Sequence, residues 1–476
     1  MIERVRTGVD GLDEVIGGGF PRGSLILLAG EPGTGKTAFS VNFIAKGAVS
    51  GEPGVYAGFA EEKEALMECM GGHLAADLRG LEAEGKAKFL DFTAMREEGA
   101  SAILERILDE VERMGAKRLA IDSFSAMAQA LRDRMEVRMV AQTVLGRIVR
   151  RMGCTTIMVE EVPIGESKIG FGVEEFVADG IMRLRAGEVD GRLLRDLELV
   201  KLRSTELIER RLAFTLKGGF RVFASFKPKP IEERRRFEPI PDPPGRFSTG
   251  SRDLDLALRG GVPRGSIALL EIAERISTLE YHLLIGPMAP EFASQGRGVV
   301  VVPSIGIDAE ILRGVGRAYG ATEDEFNRLI RIVYLGIPEP EEASPSIVAF
   351  KGRDWEEDLK GVVKVADELR AKTGQPNLWI VGLDTLVDCY GEDICERIMN
   401  YAAIVIRRRK SMLFALLKAG RKQLAKRLSP IADIYLRLIR EHGCPLLYGI
   451  KPRTGLYAVE MDVEKGHPLP KLTPIV

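Results

Sequence analysis

The sequence of 476 residues lacks a long apolar run, and none of its hydrophobic stretches approaches the ~20 residues that a membrane-spanning helix needs. The N-terminus, MIERVRTGVDGLDE, has no apolar signal-peptide core. An excess of one charge sign is also missing, because 68 Lys and Arg residues face 69 Asp and Glu residues. Binding to nucleic acid or to a membrane through bulk charge needs a cationic excess. These absences predict a cytoplasmic protein that is held neither to a membrane nor to nucleic acid.

Cysteine, asparagine and glutamine are scarce. The five cysteines (Cys69, Cys154, Cys389, Cys395 and Cys444) form no CxxC pair and no cluster with histidine. We therefore interpret them as reduced packing residues rather than as zinc ligands or disulfide partners. Only five glutamines and four asparagines accompany abundant Glu, Lys and Arg, which is typical of heat-adapted proteins. A hydrophobic content of 45% excludes a largely disordered chain.

Two segments of the sequence match each other without a gap. Residues 7–24, TGVDGLDEVIGGGFPRGS, correspond to residues 249–266, TGSRDLDLALRGGVPRGS, at an offset of 242. Such a match over eighteen positions indicates a tandem duplication. Between the halves, residues 227–246 contain six prolines and dense charge, which predicts a linker. We therefore predict one domain at 1–226 and a second at 247–476.

Short apolar runs alternate with amphipathic helical patterns in the first half. Segments such as KTAFSVNFIAKGAVSG space their apolar residues three and four apart, as amphipathic helices do. This alternation predicts an α/β fold in which a mostly parallel sheet is covered by helices on both faces. After residue 190, the pattern LELVKLRS and RLAFTLKGGFRVF predicts additional β-structure. The strand candidates are LILLAG (25–30), VYAGF (55–59), KFLDF (88–92), RLAID (118–122) and TTIMVE (155–160).

Residues 30–37, GEPGTGKT, form a complete GxxxxGK[ST] motif between the strand LILLAG and a helix. Glycines in such a loop let backbone N–H groups surround phosphates, and the helix N-terminus adds positive potential. Lys36 is expected to reach the β- and γ-phosphates, and the Thr37 hydroxyl is expected to coordinate Mg²⁺. The predicted ligands are ATP and Mg²⁺. The predicted nucleotide-binding residues of this motif are Gly30, Gly33, Thr34, Gly35, Lys36, Thr37 and Ala38.

Two carboxylates complete the predicted catalytic site around Lys36. Asp122 ends the strand RLAID, where it would hold Mg²⁺ together with Thr37, although strand-ending aspartates also cap helices. Glu61 follows VYAGF at the carboxyl edge of the sheet and is the predicted residue that orients or activates the attacking water. Glu62 is a second candidate for that role. The alternative is that both glutamates only stabilise the first turn of a helix.

The KLRST segment (residues 201–205) is a further cationic element. Strand alternation places Lys201 and Arg203 on one face, where two cations suit a terminal phosphate of the same subunit or of a neighbour. The alternative is a surface strand whose cations are solvated.

These motifs resemble the KaiC branch of the RecA/RadA ATPases, from about residue 5 to residue 460. The resemblance rests on the repeated TGVDGLDEVIGGGFPRGS pattern, GEPGTGKT, IDS (121–123), FGVEEFVAD (171–179) and KLRS (201–204). It implies two tandem RecA-like P-loop domains in homo-hexameric rings with ATP at subunit boundaries. Lys201, Arg203 and Thr205 would then serve the ATP of the neighbouring subunit. Relatives often carry two adjacent glutamates after the second strand, whereas Phe59-Ala60-Glu61 keeps one, which implies slow hydrolysis.

The second half departs further from this pattern. At the 242 offset, the motif glycines and the Lys-Thr pair become Ile272, Arg275, Ser277, Thr278 and Leu279. A loop without glycine or lysine cannot wrap a phosphate, so we predict a pseudo-ATPase. Asp384 in LWIVGLDTL keeps the position of a metal-binding aspartate but is interpreted as a cap. The nearest match to the Ser-Thr acceptors of KaiC is Ser429-Pro430, so autokinase activity is not expected.

Three functions remain open on the sequence. The first is a slow hexameric ATPase with a regulatory role, a scaffolding second ring and an unidentified protein partner. The second is a RadA-like ATPase of DNA recombination or repair. Its DNA loop would be EEVPIGESKIGFG (160–172), whose three glutamates face only Lys168 and would repel phosphate, so no nucleic acid partner is expected. The third is a non-catalytic switch in which ATP occupancy sets protein binding.

Overall fold

The computed structural model of the chain describes residues 3–74, 76–93, 100–128, 139–140, 142–166, 174–336 and 344–476. Lys168 and residues 171–173 of FGVEEFVAD lie outside the described residues. The chain divides into two compact units. The first unit comprises Met1–Ser225, His442–Cys444 and Pro474–Val476, and the second comprises Phe226–Glu441 and Pro445–Thr473.

The first unit alternates strands and helices along the chain and ends in consecutive strands. Its strands are β1 (Arg4–Val5), β2 (Phe20–Pro21), β3 (Leu25–Gly30), β4 (Gly54–Gly58), β5 (Ala87–Asp91), β6 (Arg118–Asp122), β7 (Thr155–Glu161), β8 (Gly180–Val189), β9 (Arg192–Leu202), β10 (Arg211–Thr215) and β11 (Arg221–Phe223). Its helices are α1 (Leu12–Val15), α2 (Lys36–Val49), α3 (Lys63–Leu74), α4 (Leu78–Ala83), α5 (Ala100–Met114), α6 (Phe124–Ala128), a π-helix (Val144–Arg151) and α7 (Glu174–Val177).

Nine of the described strands of the first unit form one sheet in the order β11-β10-β9-β8-β3-β7-β6-β4-β5. The adjacent strands β8, β3, β7, β6, β4 and β5 are parallel to one another. Beyond β8, the strands β9, β10 and β11 continue the sheet in antiparallel pairs. The α/β prediction and the added β-structure after residue 190 are therefore confirmed. Strand β3 lies between β7 and β8, so the loop that follows it opens at the middle of the carboxyl edge.

Both faces of this sheet are buried, as the apolar runs predict. Alternate residues of β3 point to opposite faces: Ile26 and Leu28 pack with helix α2, whereas Leu25 and Leu27 pack with α5 and the π-helix. Helices therefore cover the parallel part of the sheet on both sides, and β3 is held rigidly between two apolar layers.

The second unit repeats this arrangement. Its strands are β12 (Arg246–Phe247), β13 (Val262–Pro263), β14 (Ser266–Ile272), β15 (Val299–Val302), β16 (Ile330–Leu335), β17 (Ile347–Phe350), β18 (Leu378–Gly382), β19 (Met412–Lys418), β20 (Ile434–Glu441), β21 (Cys444–Lys451), β22 (Leu456–Asp462) and β23 (Leu469–Pro474). Its helices are α8 (Arg252–Ala257), α9 (Thr278–Ile285), α10 (Met288–Ser294), α11 (Ala309–Ala318), α12 (Glu323–Leu329), α13 (Trp355–Thr373), α14 (Leu383–Tyr390), α15 (Glu392–Arg409) and α16 (Lys422–Leu428).

The ten-stranded sheet of this unit has the order β17-β16-β15-β18-β19-β14-β20-β21-β22-β23. Strand β14 is parallel to both of its neighbours, β19 and β20, as β3 is to β7 and β8. Strand β14 is therefore the counterpart of β3, and α9 is the counterpart of α2.

Two further expectations concern membranes and cysteines. Within the described ranges, no helix is both long enough and apolar enough to cross a bilayer. Cys154, Cys395 and Cys444 are buried, and burial raises the pKa of the Cys154 thiol to about 12. Cys69 is exposed, so the interpretation as a packing residue is wrong for that position.

Candidate nucleotide-binding site

The loop between β3 and α2 has the geometry that its glycines predict. A Cβ at Gly30 would lie 2.7 Å from the Thr34 Oγ1 and 2.8 Å from the Leu184 carbonyl oxygen, so a side chain does not fit there. Gly35 has a φ of 101°, a left-handed conformation that glycine adopts without strain, and the helix begins at the next residue. The loop therefore delivers the N-terminus of α2 to the carboxyl edge of the sheet.

Lys36 lies inside this loop and is buried. Its Nζ donates hydrogen bonds to the carbonyl oxygens of Gly30, at 2.8 Å, and Glu31, at 2.9 Å. Burial lowers the pKa of the Lys36 ammonium, and the negative charges of Glu161 and Asp122 counter part of that change. The ammonium group is thus held against the backbone of the loop, where two carboxylates act on its charge.

Asp122 is buried at the carboxyl end of β6. The Tyr56 hydroxyl donates a hydrogen bond to its Oδ2 at 2.8 Å. Burial raises the pKa of Asp122, whereas hydrogen bonds from Tyr56 and Thr37 and the charge of Lys36 act in the opposite direction. A carboxylate beside a P-loop hydroxyl fits a magnesium ion that also binds phosphate oxygens.

These side chains line one pocket of about 340 Å³ at the carboxyl edge of the first sheet. Among the described residues, no group of three or more His, Cys, Asp or Glu side chains could hold a metal ion alone. Thr37 and Asp122 supply oxygen donors at this pocket, and this pair fits a metal that nucleotide phosphates help to bind. The predicted site residues that line the pocket are Gly33, Gly35, Lys36, Thr37, Ala38, Glu61 and Asp122.

Two predicted loop residues lie behind the pocket rather than on its wall. Gly30 closes the loop against β8, and Thr34 is buried, with its hydroxyl donating to the Glu31 carbonyl oxygen at 2.8 Å. Glu61 is exposed at the pocket wall, and its negative charge contributes to the raised pKa of Asp122. Glu62 is exposed and is not among the residues that line the pocket.

Four residues with polar or charged side chains at or near the pocket were not predicted to belong to it. Glu161 ends β7 beside the loop, and Tyr56 binds Asp122 from β4. His73 of α3 lines the wall, and the Arg195 guanidinium donates to the Gly33 carbonyl oxygen at 3.0 Å. The position of Glu161 at the end of the strand beside β3 was the available signal. Arg195 gave none, because its strand reaches the loop only through the antiparallel extension of the sheet.

The KLRST segment lies at the opposite edge of the sheet from this pocket. Lys201 pairs with Ile181 of β8, and its Nζ donates to the Ala178 carbonyl oxygen at 2.7 Å. The Arg203 backbone N–H donates to Asp179, whose own N–H donates to Leu25, the first residue of β3. The structure therefore does not bring the KLRST segment to the pocket of its own chain.

The second unit has a different constellation at the matching edge. In β18, Leu378 lies opposite Val299 of β15 and Met412 of β19. In β6, Arg118 lies opposite Gly54 of β4 and Thr155 of β7 in the same way, so Leu378 corresponds to Arg118. Four residues further along each strand, Gly382 is therefore the counterpart of Asp122. The prediction that Asp384 keeps the metal-binding position is therefore wrong, because Asp384 lies two residues later, within α14.

Asp384 and Lys418 form an internal ion pair at this edge. The Asp384 Oδ2 accepts from the Ile305 N–H and lies 3.0 Å from the Lys418 Nζ. Lys418 itself occupies the register position of Glu161, so the charge at the end of that strand is reversed.

The N-terminus of α9 is closed by its own side chains. The Ser277 Oγ accepts from the Glu280 N–H, and the Glu280 carboxylate accepts from the Ser277 N–H at 2.7 Å. Glu280 is buried and forms an ion pair with Arg440. An adjacent pocket of about 370 Å³ is lined by several cations, of which Arg437 is paired with Glu271. The helix N-terminus that would bind phosphate is already occupied by a carboxylate.

Comparisons with known families match the two halves differently. The family model described as the KaiC ATPase matches residues 5–224. A model described as GvpD basic region 2 matches residues 236–313. The predicted resemblance to KaiC extends to residue 460, whereas the KaiC match ends before the linker.

The similar individual proteins each match about half of this chain. A UPF0273 protein of Aeropyrum pernix is 34% identical over 232 residues, which cover 45% of this chain and 91% of that protein. A UPF0273 protein of Thermotoga maritima is 35% identical, with coverages of 45% and 93%. The circadian clock protein KaiC3 of Synechocystis sp. is 32% identical over 56% of this chain and 54% of its own length. A KaiC-like protein from Pyrococcus horikoshii, known from a crystal structure, has 36% sequence identity to this chain. The structural match covers 47% of this chain and 100% of that protein's chain, with a TM-score of 0.42.

Proposed function

Since the chain belongs to the KaiC-like branch of the RecA-like P-loop ATPases, we propose that its first unit binds Mg-ATP and hydrolyses it slowly. The observation that carries the proposal is the pocket in which Lys36, Thr37, Asp122 and Glu61 meet around a glycine loop. Each of these residue types has a defined part in phosphoryl transfer, and the fold brings them to one edge of the sheet.

Each side chain has a role that follows from its surroundings. Lys36 is oriented by two loop carbonyls and would donate hydrogen bonds to phosphate oxygens. Thr37 and Asp122 would hold Mg²⁺, which when bound supplies positive charge to the phosphate oxygens. Tyr56 fixes the orientation of the Asp122 carboxylate. Glu61, on the exposed wall, would orient the attacking water.

We place the ATP at a boundary between subunits because of where the KLRST segment lies. Backbone hydrogen bonds connect Arg203 to Asp179 and Asp179 to Leu25, which begins β3. The nucleotide loop begins at Gly30, five residues further along that strand. At ~3.3 Å per residue the two ends of β3 are about 16 Å apart, further than an arginine side chain reaches. The cations of the KLRST segment therefore do not reach the nucleotide loop of their own chain. This distance and the 54% exposure of the Arg203 side chain support a role toward a neighbouring chain.

We further propose a homo-hexamer with domains at 1–226 and 247–476, in which the second domain is a pseudo-ATPase scaffold with a regulatory role. The internal carboxylate of Glu280 at the N-terminus of α9 supports this assignment, because it takes the place of a bound anion. Autokinase activity is not proposed, since phosphoryl transfer within that ring would need ATP there.

The first experiment is a Mg²⁺-dependent ATPase assay on the purified full chain. Lys36→Ala should remove the activity, because the ammonium group that binds the phosphates is lost. Thr278→Ala changes the corresponding position of the second unit and is the matched control, with an unchanged rate expected. Activity that survives in Lys36→Ala, or that falls equally in Thr278→Ala, contradicts an active site in the first unit.

The subunit boundary is tested by mixing two inactive chains. Lys36→Ala keeps the KLRST segment, and Arg203→Ala keeps the nucleotide loop. In a randomly mixed ring, roughly a quarter of the boundaries combine one intact loop with one intact segment, so about a quarter of the wild-type rate should return. Absence of any regain rejects the shared site but leaves the ATPase assignment of the first unit intact.

A further inference from the structure

Arg4 connects the N-terminal strand to the KLRST segment. Its Nη1 donates to the Thr205 Oγ1 at 3.0 Å, and its Nη2 donates to the Ser204 carbonyl oxygen at 2.8 Å. The same Nη1 also donates to the carbonyl oxygens of Ile16, at 3.0 Å, and Gly19, at 2.8 Å. One guanidinium therefore ties the end of the KLRST segment to the loop that precedes β2.

The contacts of Arg4 stabilise the C-terminal end of the KLRST segment, at Ser204 and Thr205. The two cations lie earlier in the segment and have other partners: Lys201 donates to the Ala178 carbonyl oxygen, and Arg203 forms an ion pair with Asp179 at 3.2 Å. Ser204 has a φ of 60°, which costs a non-glycine residue free energy and persists only where neighbouring contacts fix it. The hydrogen bond from Arg4 to the Ser204 carbonyl is a contact of that kind.

The second unit supplies an internal comparison. Arg246 occupies the position of Arg4 at the 242 offset, and its Nη1 donates to the Gly261 carbonyl oxygen at 2.7 Å, as Arg4 does to Gly19. In the second unit, the sequence KPRT (451–454) resembles KLRS (201–204). Within the described residues, the Arg246 side chain makes no hydrogen bond to KPRT. The contact with the glycine carbonyl thus belongs to the shared fold, and the contacts with Ser204 and Thr205 occur in the unit that keeps the nucleotide loop.

We infer that Arg4 is a positioning residue that presents the KLRST segment to the nucleotide of the neighbouring subunit. The inference rests on the proposed shared site. Because Arg4 acts on the segment and not on the loop of its own chain, its loss should damage the neighbour's site and leave its own loop usable.

Amide hydrogen exchange without nucleotide measures the positioning directly. In Arg4→Met, the amide of Arg203, which donates to the Asp179 carbonyl oxygen at 2.9 Å, should exchange about tenfold faster, as expected when a net ~1.4 kcal/mol of hydrogen bonding is lost locally. Arg246→Met is the matched control and should leave this amide unchanged. Equal exchange in Arg4→Met and wild type overturns the inference, whatever the ATPase assays show. Arg4→Lys, which keeps the charge with different donor geometry, replaces Arg4→Met if that chain does not fold.

Mixing experiments separate action on the segment from action on the loop. Arg4→Met mixed with Lys36→Ala should regain ATPase activity, because Lys36→Ala chains supply an intact segment to an intact loop. Arg4→Met mixed with Arg203→Ala should regain none, because both chains carry a damaged segment. The reverse pattern would show that Arg4 supports its own loop and overturns the inference. If Lys36→Ala and Arg203→Ala fail to complement each other, the shared site itself is rejected, and with it the role of Arg4 in trans.

Discussion

The buried carboxyl group of Glu291 should make the stability of the second unit depend on pH. Glu291 is fully buried in α10 and accepts hydrogen bonds from the Ile240 N–H, at 3.0 Å, and from the Gln295 Nε2, at 2.5 Å. Burial raises the pKa of Glu291 from its ordinary 4.5 to about 7, and the negative charges of Asp242 and Asp255 add to this effect. The Glu291 carboxyl group binds the backbone of Ile240 in the proline-rich segment, so ionisation of Glu291 alters a contact that fixes this segment.

The sign and size of the effect follow from this pKa. The unfolded chain loses the proton near pH 4.5, and the folded chain loses it near pH 7. The contribution of Glu291 to the free energy of unfolding is therefore largest below pH 4.5, declines as the pH rises from 4.5 to 7, and is lost above pH 7. The pKa difference corresponds to a decline of about 3 kcal/mol. Glu291→Gln keeps an acceptor for Ile240 without a charge, so it should remove the decline and be the more stable protein at pH 8.

Tryptophan fluorescence during urea unfolding provides the assay, because both tryptophans, Trp355 and Trp379, belong to the second unit. The free energy of unfolding is measured at pH 5 and at pH 8 for wild type, Glu291→Gln and Glu464→Gln. Glu464 is exposed, so its variant should follow the wild type. A decline of equal size in Glu291→Gln and wild type would refute the assignment of the pH dependence to this carboxyl group.

Three further predictions concern residues at the carboxyl edges of the two sheets. Asp122→Asn should lower the Mg²⁺-dependent ATPase rate by at least about 100-fold. Asp384→Asn should leave that rate unchanged and should destabilise the second unit by about 1–2 kcal/mol, because its pairing with Lys418 is weakened. Equal ATPase rates in the two variants would contradict the register assignment. Gly382→Ala should destabilise the second unit by about 1–3 kcal/mol, because its Cβ would lie 2.5 Å from the Ser304 Cα. Tryptophan fluorescence during urea unfolding measures this loss, and an unchanged midpoint would argue against the close approach.

The matching strand arrangement of the two units and the loop at residues 30–37 could be predicted because short segments of sequence carry their signals. GEPGTGKT specifies a strand, a loop and a helix within eight residues, and the structure ends β3 at Gly30 and begins α2 at Lys36 as the motif requires. The strand candidates LILLAG and RLAID match β3 and β6 at both ends. The offset of 242 holds through the altered loop, since α9 begins at Thr278, the counterpart of Lys36.

Other features depend on contacts between distant parts of the chain and left no local signal. The placement of the KLRST segment at the far edge of the sheet follows from the antiparallel pairing of β8 with β9. Arg4 is separated from Thr205 by 201 positions, so nothing in the sequence around either residue indicates their contact. The error at Asp384 has the same origin, because only the pairing of β18 with β15 and β19 shows that Gly382 ends the strand at the Asp122 position.

The second unit shows why loss of a motif is more than loss of its side chains. Where Gly35 leaves the helix N-terminus open, Ser277 is extended, with a φ of −75°, and closes it with Glu280. That buried carboxylate forms an ion pair with the partly exposed Arg440. At the end of β18, Gly382 lies so close to the Ser304 backbone that an aspartate would not fit. In the described part of this edge, the charges of Glu280 and Asp384 are each paired with a cation of the same unit. Restoring glycines and a lysine in the loop would still leave a carboxylate at the phosphate position, so the altered loop is a stable alternative structure rather than a nucleotide site short of a few residues.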